Sequence, residues 1–253
     1  MKRLVFPSLI FIFSVSIVVD LHAVNVQSDE SALKLNTSPP IHSIHAVPKK
    51  SEWWQKRHIE KILQAKKSKI DLLMLGDSIS HFWEKRGASV WTEFYQSRNA
   101  FNLGFSGDRT EHVLWRLRNG AVENMQPKLT VLMIGTNNTG HRMDPAEHTA
   151  QGIKAIISEL RTRLPHSKIL LLGVFPRHYS PHNEMRIRNK DINNLIQSFK
   201  DEGHVYYLNI NNIFLRNDNV MKEELMPDLL HPNASGYQLW AETMEPTINQ
   251  LMR

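Results

Sequence analysis

Short apolar runs alternate with longer amphipathic stretches along most of this chain, and that alternation limits what it can fold into. Residues 70–75, 100–103, 129–134, 168–174 and 205–210 are apolar enough to read as buried strands. Helical patterns lie around them. Trp53, Trp54, His58, Ile62 and Leu63 mark one running to about residue 67, and others cover 78–85, 90–95, 111–118, 144–164, 184–200 and 233–251. Near-continuous apolar strands separated by helices bury both faces by forming a parallel sheet covered on each side. The class is α/β, with a five-stranded parallel sheet; alternation alone leaves the strand order open.

Local signals punctuate the pattern. Asn119-Gly120 stops the fourth helical stretch. In Asp144-Pro145-Ala146-Glu147, the aspartate suits a cap, the proline a first helical position and the glutamate a capping box.

The start of the chain reads differently. Met1-Lys2-Arg3 is basic, the stretch to Val19 is apolar apart from Pro7 and scattered serines, and Asp20-Leu21-His22-Ala23 breaks it. This is the pattern of a secretory signal peptide over 1–23, with an uncleaved membrane anchor as the alternative. Residues 24–50 lack periodicity and read as a flexible linker, which leaves 51–253 as the domain. The expected location is therefore secreted or periplasmic, with membrane contact only if the segment stays attached. The chain has no cysteine, so a disulfide or thiolate metal site is excluded. Its formal charge of +6 is spread without a long Lys/Arg block, which reads as a solvated surface and not as a nucleic-acid site. No HExxH and no carboxylate cluster suggests a metal, and no cofactor is expected.

Chemistry-bearing residues gather at the strand ends. Gly76-Asp77-Ser78 follows the first strand, Asn102-Leu103-Gly104 closes the second, and Gly135-Thr136-Asn137-Asn138 follows the third. Near the C-terminus stands Asp228-Leu229-Leu230-His231. A serine hydrolase needs a hydroxyl on a sharp turn, an imidazole to take its proton and a carboxylate to hold that imidazole. Asp228 and His231 are three residues apart, near enough to meet within one turn. Each block also has a structural explanation: Ser78 as a helix cap, Asp228 as a turn residue, and Gly135-Thr136-Asn137-Asn138 as a plain turn. Asp77, beside the serine, reads as a loop brace. His81, His112, His141 and His178 are the other histidines weighed as bases.

The four blocks in this order resemble the SGNH/GDSL hydrolase superfamily. The stretch from Asn102 through Gly107-Asp108-Arg109-Thr110 to His112-Val113-Leu114-Trp115-Arg116-Leu117 is similar to the platelet-activating-factor acetylhydrolase-like esterases within it. The resemblance implies a flavodoxin-like three-layer sandwich with strand order 2-1-3-4-5. It implies Ser78 as nucleophile, His231 as base and Asp228 as its partner. Oxyanion donors would be the Ser78 and Gly104 N–H groups and the Asn137 amide. Ile79, Thr136 and Leu230 would shape a small acyl pocket, and relatives of this kind make a homodimer an expectation. The activity so implied is hydrolysis of short acyl esters, acetyl above all, through an acyl-enzyme. In an exported protein the ester would sit on a small molecule or glycan. A phospholipid acetylhydrolase or lysophospholipase-like enzyme is the alternative within the class, and a non-catalytic carbohydrate- or lipid-binding protein the alternative outside it.

Overall fold

The computed structural model describes residues 41–201 and 203–253. The expected signal peptide and the linker up to residue 40 lie outside them. Five parallel strands, β1 (Leu72–Gly76), β2 (Ala100–Gly104), β3 (Leu129–Met133), β4 (Lys168–Leu172) and β5 (Val205–Leu208), form one sheet in the order β2-β1-β3-β4-β5. Leu72 pairs with Ala100 on one side and Leu129 on the other, so β1 is an interior strand and its end is flanked by the ends of β2 and β3.

Side chains alternate across the pleat and build two cores. Leu73, Leu75, Leu103, Leu132, Ile169 and Leu171 point to one face. There they pack on α1 (Glu52–Ala65), α4 (Thr110–Arg118), α6 (Ala146–Arg163) and α7 (Glu184–Ile196). Leu72, Met74, Val131, Met133, Leu170 and Leu172 point to the other, against α3 (Ala88–Phe94) and α8 (Ala234–Met252). In this second core the Trp83 ring is tilted against those of Tyr95, Tyr237 and Trp240, and Tyr237 stacks on Trp240. The three-layer, flavodoxin-like arrangement expected from the sequence is the observed one.

Several details differ. The helix expected over 78–85 is a single turn, α2 (Ser78–His81), followed by a 3-10 turn over Phe82–Glu84. Gly135-Thr136-Asn137-Asn138 is more than a turn: it opens α5 (Thr136–Arg142), entered through Gly135 at φ 132°. Asp144 does not cap α6, whose N-cap is Pro145. Its carboxylate instead accepts from Arg142 at 2.6 and 2.9 Å and from Asn138 Nδ2 at 3.1 Å. A guanidinium fork and a buried amide satisfy it better than one free helix N–H.

The linker reading also needs correction, because residues 41–50 belong to the domain. Ser43 is buried; its hydroxyl donates to the His148 carbonyl, and its own carbonyl accepts from Thr110 Oγ1 at 3.0 Å. Val47 N–H donates to Glu111 O at 3.3 Å, and Lys49 Nζ to Ser106 O at 3.2 Å. Without periodicity, a segment held by such long-range bonds looks like a linker in sequence. No helix among the described residues is long and apolar enough to cross a membrane.

Candidate active site

The chain leaves β1 and turns at once into α2. Gly76 is needed there for close approach: a Cβ would collide with the Met133 carbonyl and with Ser80 Oγ. Asp77 caps α2 by accepting from Ile79 N–H at 3.0 Å. Ser78 is thus the first helical residue, 7% exposed, at the end of the interior strand β1. Between β1 and β3 the connections reverse direction across the sheet, which makes a crevice at the strand ends. Ser78 follows β1 and Asn137 follows β3, so both lie at that crevice.

Asp228 and His231 reach the serine from the loop before α8. His231 Nε2 is 2.9 Å from Ser78 Oγ, and its Nδ1 is 3.0 Å from Asp228 Oδ2. A neutral ring that donates from Nδ1 to the carboxylate keeps Nε2 free to accept the serine proton. Asp228 serves the turn as well, since Oδ1 accepts from the N–H groups of Leu230 at 3.2 Å and His231 at 2.7 Å. Leu229 lies in the left-handed region at φ 59°, an uncommon conformation for a leucine, and its carbonyl is held by His178 N–H at 2.9 Å. The strained turn brings the ring back over its own carboxylate.

Burial is the main influence on His231 and lowers its pKa below the ordinary histidine value, although the bond and charge of Asp228 work in the other direction. Burial acts to raise the Asp228 carboxyl, but the backbone N–H and ring of His231, with Arg86, outweigh it and hold that carboxyl below its usual range. At neutral pH the pair is therefore a neutral imidazole beside an ionised carboxylate. Arg86 Nη1 meets Asp228 Oδ2 at 3.1 Å, but both side chains are exposed, so this contact is worth little.

The other histidines are engaged elsewhere or lie outside this contact. His81 Nδ1 pairs with Ser106 Oγ at 2.8 Å, and His112 Nδ1 accepts from Arg109 N–H at 3.0 Å. Burial pushes His81 down to about 4 and His112 down to about 3, so both stay neutral. The backbone N–H of His178 braces the Leu229 carbonyl, while His141 is exposed on α5.

Gly104 is where the expected oxyanion donors need correcting. Its N–H is already spent on Asn102 Oδ1 at 2.7 Å. A Cβ at Gly104 would collide with the backbone of Ser80 and His81, so this glycine lets β2 pack against α2. Asn102 completes that junction by donating to Ser80 O at 2.9 Å. Three residues on, Gly107 sits in the left-handed region at φ 74°, and its N–H has no acceptor among the described residues. The Ser78 N–H has none either. Asn137 Nδ2 donates one hydrogen to the carbonyl of Asp108, next to Gly107, at 2.9 Å and keeps the second. Asn138 is structural, with Oδ1 accepting from Thr110 N–H at 3.1 Å.

Beneath this loop lies a charge network that sequence reasoning did not single out. The fully buried Asp108 accepts from Trp54 Nε1 at 2.6 Å and from Arg116 Nε at 2.9 Å. The Arg116 guanidinium stacks 4.0 Å from the centre of the Phe105 ring. Burial pushes the Asp108 carboxyl up to about 6 in spite of Arg116, and the Asp77 carboxyl up to about 7, where the Asp108 charge adds to the effect. Arg177 braces the far wall by donating to Thr136 O at 2.8 Å. Of the expected pocket residues, Ile79 and Thr136 are buried and Leu230 is half-buried. The isolated Asp and Arg in Gly107-Asp108 and Trp115-Arg116 were visible in sequence, but their pairing needed the fold.

A serine bonded to a histidine at the switch point of a flavodoxin-like sheet defines a serine esterase of the parallel-sheet type. The chain belongs to the GDSL-like Lipase/Acylhydrolase family, whose model matches residues 74–239, and it is a serine-dependent carboxylic ester hydrolase. Rat platelet-activating factor acetylhydrolase IB subunit alpha2 is 36% identical to it over 200 residues, covering 79% of this chain and 85% of the relative. A GDSL-like lipase from Bacteroides thetaiotaomicron superposes with a TM-score of 0.63 at 18% identity, covering 77% of this chain and 97% of that one. An acetylxylan esterase from Geobacillus stearothermophilus does so with a TM-score of 0.56 at 15% identity, covering 73% and 94%. At these identities the two solved structures bear on the fold alone.

Proposed function

We propose that this protein is an exported acetyl esterase in which Ser78, His231 and Asp228 carry the chemistry. The observation that carries the reading is the continuous contact from Asp228 through His231 to Ser78, at 3.0 and 2.9 Å. Ser78 Oγ attacks the ester carbonyl carbon as its proton passes to His231 Nε2. The carbonyl oxygen becomes an oxyanion, and the donors are the N–H groups of Ser78 and Gly107 and the second Asn137 Nδ2 hydrogen. One such donor is worth about 2.7–4 kcal/mol in the transition state. His231 then gives its proton to the departing alkoxide, leaving an acyl-serine and a free alcohol. Water, deprotonated by the same Nε2, attacks the acyl carbon and releases the acid, and the proton returns to Ser78.

The acetyl preference is supported by the relatives' names. The relative at 36% identity is a platelet-activating factor acetylhydrolase subunit, so the acyl group its name gives is acetyl. For the alcohol half, a glycan fits an exported enzyme. Export is supported by the basic start and apolar run of residues 1–23. Residues Ile79, Thr136 and Leu230, each next to a proposed catalytic or oxyanion residue, form the acyl pocket in this reading.

The test is hydrolysis of a panel of acetylated sugars, acetylated phospholipids and chromogenic acetyl esters, with Ser78→Ala as control. Turnover of acetyl esters that vanishes in a folded Ser78→Ala variant supports the reading. Undiminished turnover in that variant sinks it. Mass spectrometry of the mature N-terminus in an expressing cell tests cleavage after the signal segment.

A further inference from the structure

Three basic side chains line one side of the ester site. Lys49 Nζ donates to Ser106 O at 3.2 Å and stands 2.7 Å from the point where a Gly107 Cβ would be. The Cε1 atom of His141 is 4.0 Å from that same point, so ammonium and imidazole flank one spot beside Gly107. One residue back on α5, a Cβ at Gly140 would strike the Arg177 guanidinium, whose Nη1 donates to Thr136 O at 2.8 Å. The three therefore form an arc from Gly107 to Thr136. Asn137, next to Thr136, closes the arc by bonding the carbonyl of Asp108, next to Gly107. Lys49 and Arg177 are half-buried and His141 is exposed, so all three reach solvent.

Carboxylates to balance this arc are lacking. Neither Lys49 nor Arg177 has an acid within ion-pair distance among the described residues, whereas Arg109 is paired with Glu111, and Arg142 with Glu111 and Asp144. Asp108 acts on Lys49 through its charge, but it is fully buried and already bonded to Trp54 and Arg116. Asp77 acts on Arg177, but its carboxyl is raised to about 7 and is only part-ionised at neutral pH. Lys49 uses one of its three ammonium hydrogens, and Arg177 Nη2 donates to no described residue. His141 senses the same imbalance. Burial lowers its pKa, and the four largest charge effects on it, from Arg109, Lys49, Arg177 and Arg142, all push the same way.

A positive rim that reaches solvent and lacks counter-charge favours an anion, which it would hold by charge-assisted hydrogen bonds. An acetyl group has no position for a charge, so the anion belongs to the alcohol half of the ester. We propose that Lys49 and Arg177, with His141 between them, form a subsite that selects acetyl esters whose alcohol carries a carboxylate or phosphate group. The proposal rests on the acetyl esterase reading and adds the charge of the substrate to it.

The test compares three acetates on one phenol scaffold, cleaved by the full chain: meta-acetoxybenzoate, meta-acetoxyphenyl phosphate and the neutral methyl meta-acetoxybenzoate. For at least one anion, kcat/KM should exceed that of the neutral ester by about tenfold, chiefly through KM, because the subsite binds substrate and transition state alike. Whichever anion gains more identifies the group. Raising NaCl to about 0.5 M should shrink the gap. In Lys49→Met, and separately in Arg177→Met, the ratio of anionic to neutral kcat/KM should fall toward one. That ratio is read within each variant, so it holds even where a variant loses stability. Equal kcat/KM for all three esters in the wild type overturns the proposal. So does a ratio unmoved in both variants, which would leave Lys49 and Arg177 serving every ester alike. Absence of any acetate hydrolysis would sink the esterase reading instead. The subsite is then decided by proton NMR of the His141 ring in Ser78→Ala during titration with meta-hydroxybenzoate or its neutral methyl ester. The carboxylate should raise the His141 pKa and the neutral ester should not; a ring indifferent to the carboxylate overturns the proposal.

Discussion

At the scale of single residues, protonation governs both activity and stability. His231 must be neutral to accept the serine proton, and burial lowers its pKa below the usual 6.5. Activity should therefore hold through neutral pH and fall only on an acidic limb lying below 6.5, as Nε2 takes a proton. His231→Ala should remove nearly all turnover. Asp228→Asn removes the group that raises the ring's pKa and holds its tautomer, so the limb should move further down while kcat drops. In serine proteases the equivalent change costs about 10⁴. Here Asp228 is partly exposed, so a loss of roughly 10²–10⁴ is expected. A profile of kcat/KM against pH checks this, and an acidic limb above 6.5 would contradict it. Asp77 titrates with the opposite consequence. Its carboxyl is raised from 3.8 to about 7, so the folded protein holds a proton that the unfolded chain has lost. Its contribution to stability is thus present at low pH and declines as pH rises through that window. Asp77→Asn does not titrate, so its Tm minus that of wild type should grow between pH 4 and pH 8. A constant difference in calorimetry would refute that.

At the scale of elements, α1 supports the Gly107-Asp108 loop, proposed above to carry an oxyanion donor, although no hydrogen bond joins α1 to the serine. Trp54 on α1 and Arg116 on α4 hold the carboxylate of Asp108, and the carbonyl of the same Asp108 holds Asn137. Trp54→Phe keeps most of the packing and removes one donor from a buried carboxylate, which should cost about 1–3 kcal/mol in denaturant unfolding. Because the loop is loosened along with the fold, kcat on acetyl esters should also fall. A variant destabilised to that extent with unchanged kcat would show that α1 serves stability alone. The glycines of this region show where sequence reading stops. Gly76, Gly104 and Gly107 look alike in a one-dimensional pattern. Gly76 and Gly104 are excluded from bearing a Cβ by neighbouring backbone, and Asn102 folds back to occupy the Gly104 N–H. Which glycine N–H remains free depends on a side chain's tertiary fit, and no local spacing encodes that.

At the scale of the whole molecule, the sheet order puts β1 and β3 side by side, so Ser78, Asn137 and the His231 turn meet at the C-terminal strand ends. The proposed acetyl preference sets an expectation for acyl length. Acetyl esters should be cut faster than octanoyl esters, by about tenfold or more in kcat/KM. A steady rise with chain length would point to a lipase-like groove instead. Strand ends, the sharp Gly-Asp-Ser turn and the Asp-x-x-His spacing were legible in the sequence because apolar periodicity and turn chemistry act over a few residues. They sufficed to define the α/β class and to single out Ser78, Asp228 and His231, which the fold brings within hydrogen-bond distance of one another. Tertiary structure alone decided that residues 41–50 pack into the domain, that Asp144 pairs with Arg142, and that Asp108 sits on Trp54 and Arg116. Each of those rests on a bond between segments or side chains whose meeting depends on the folded geometry.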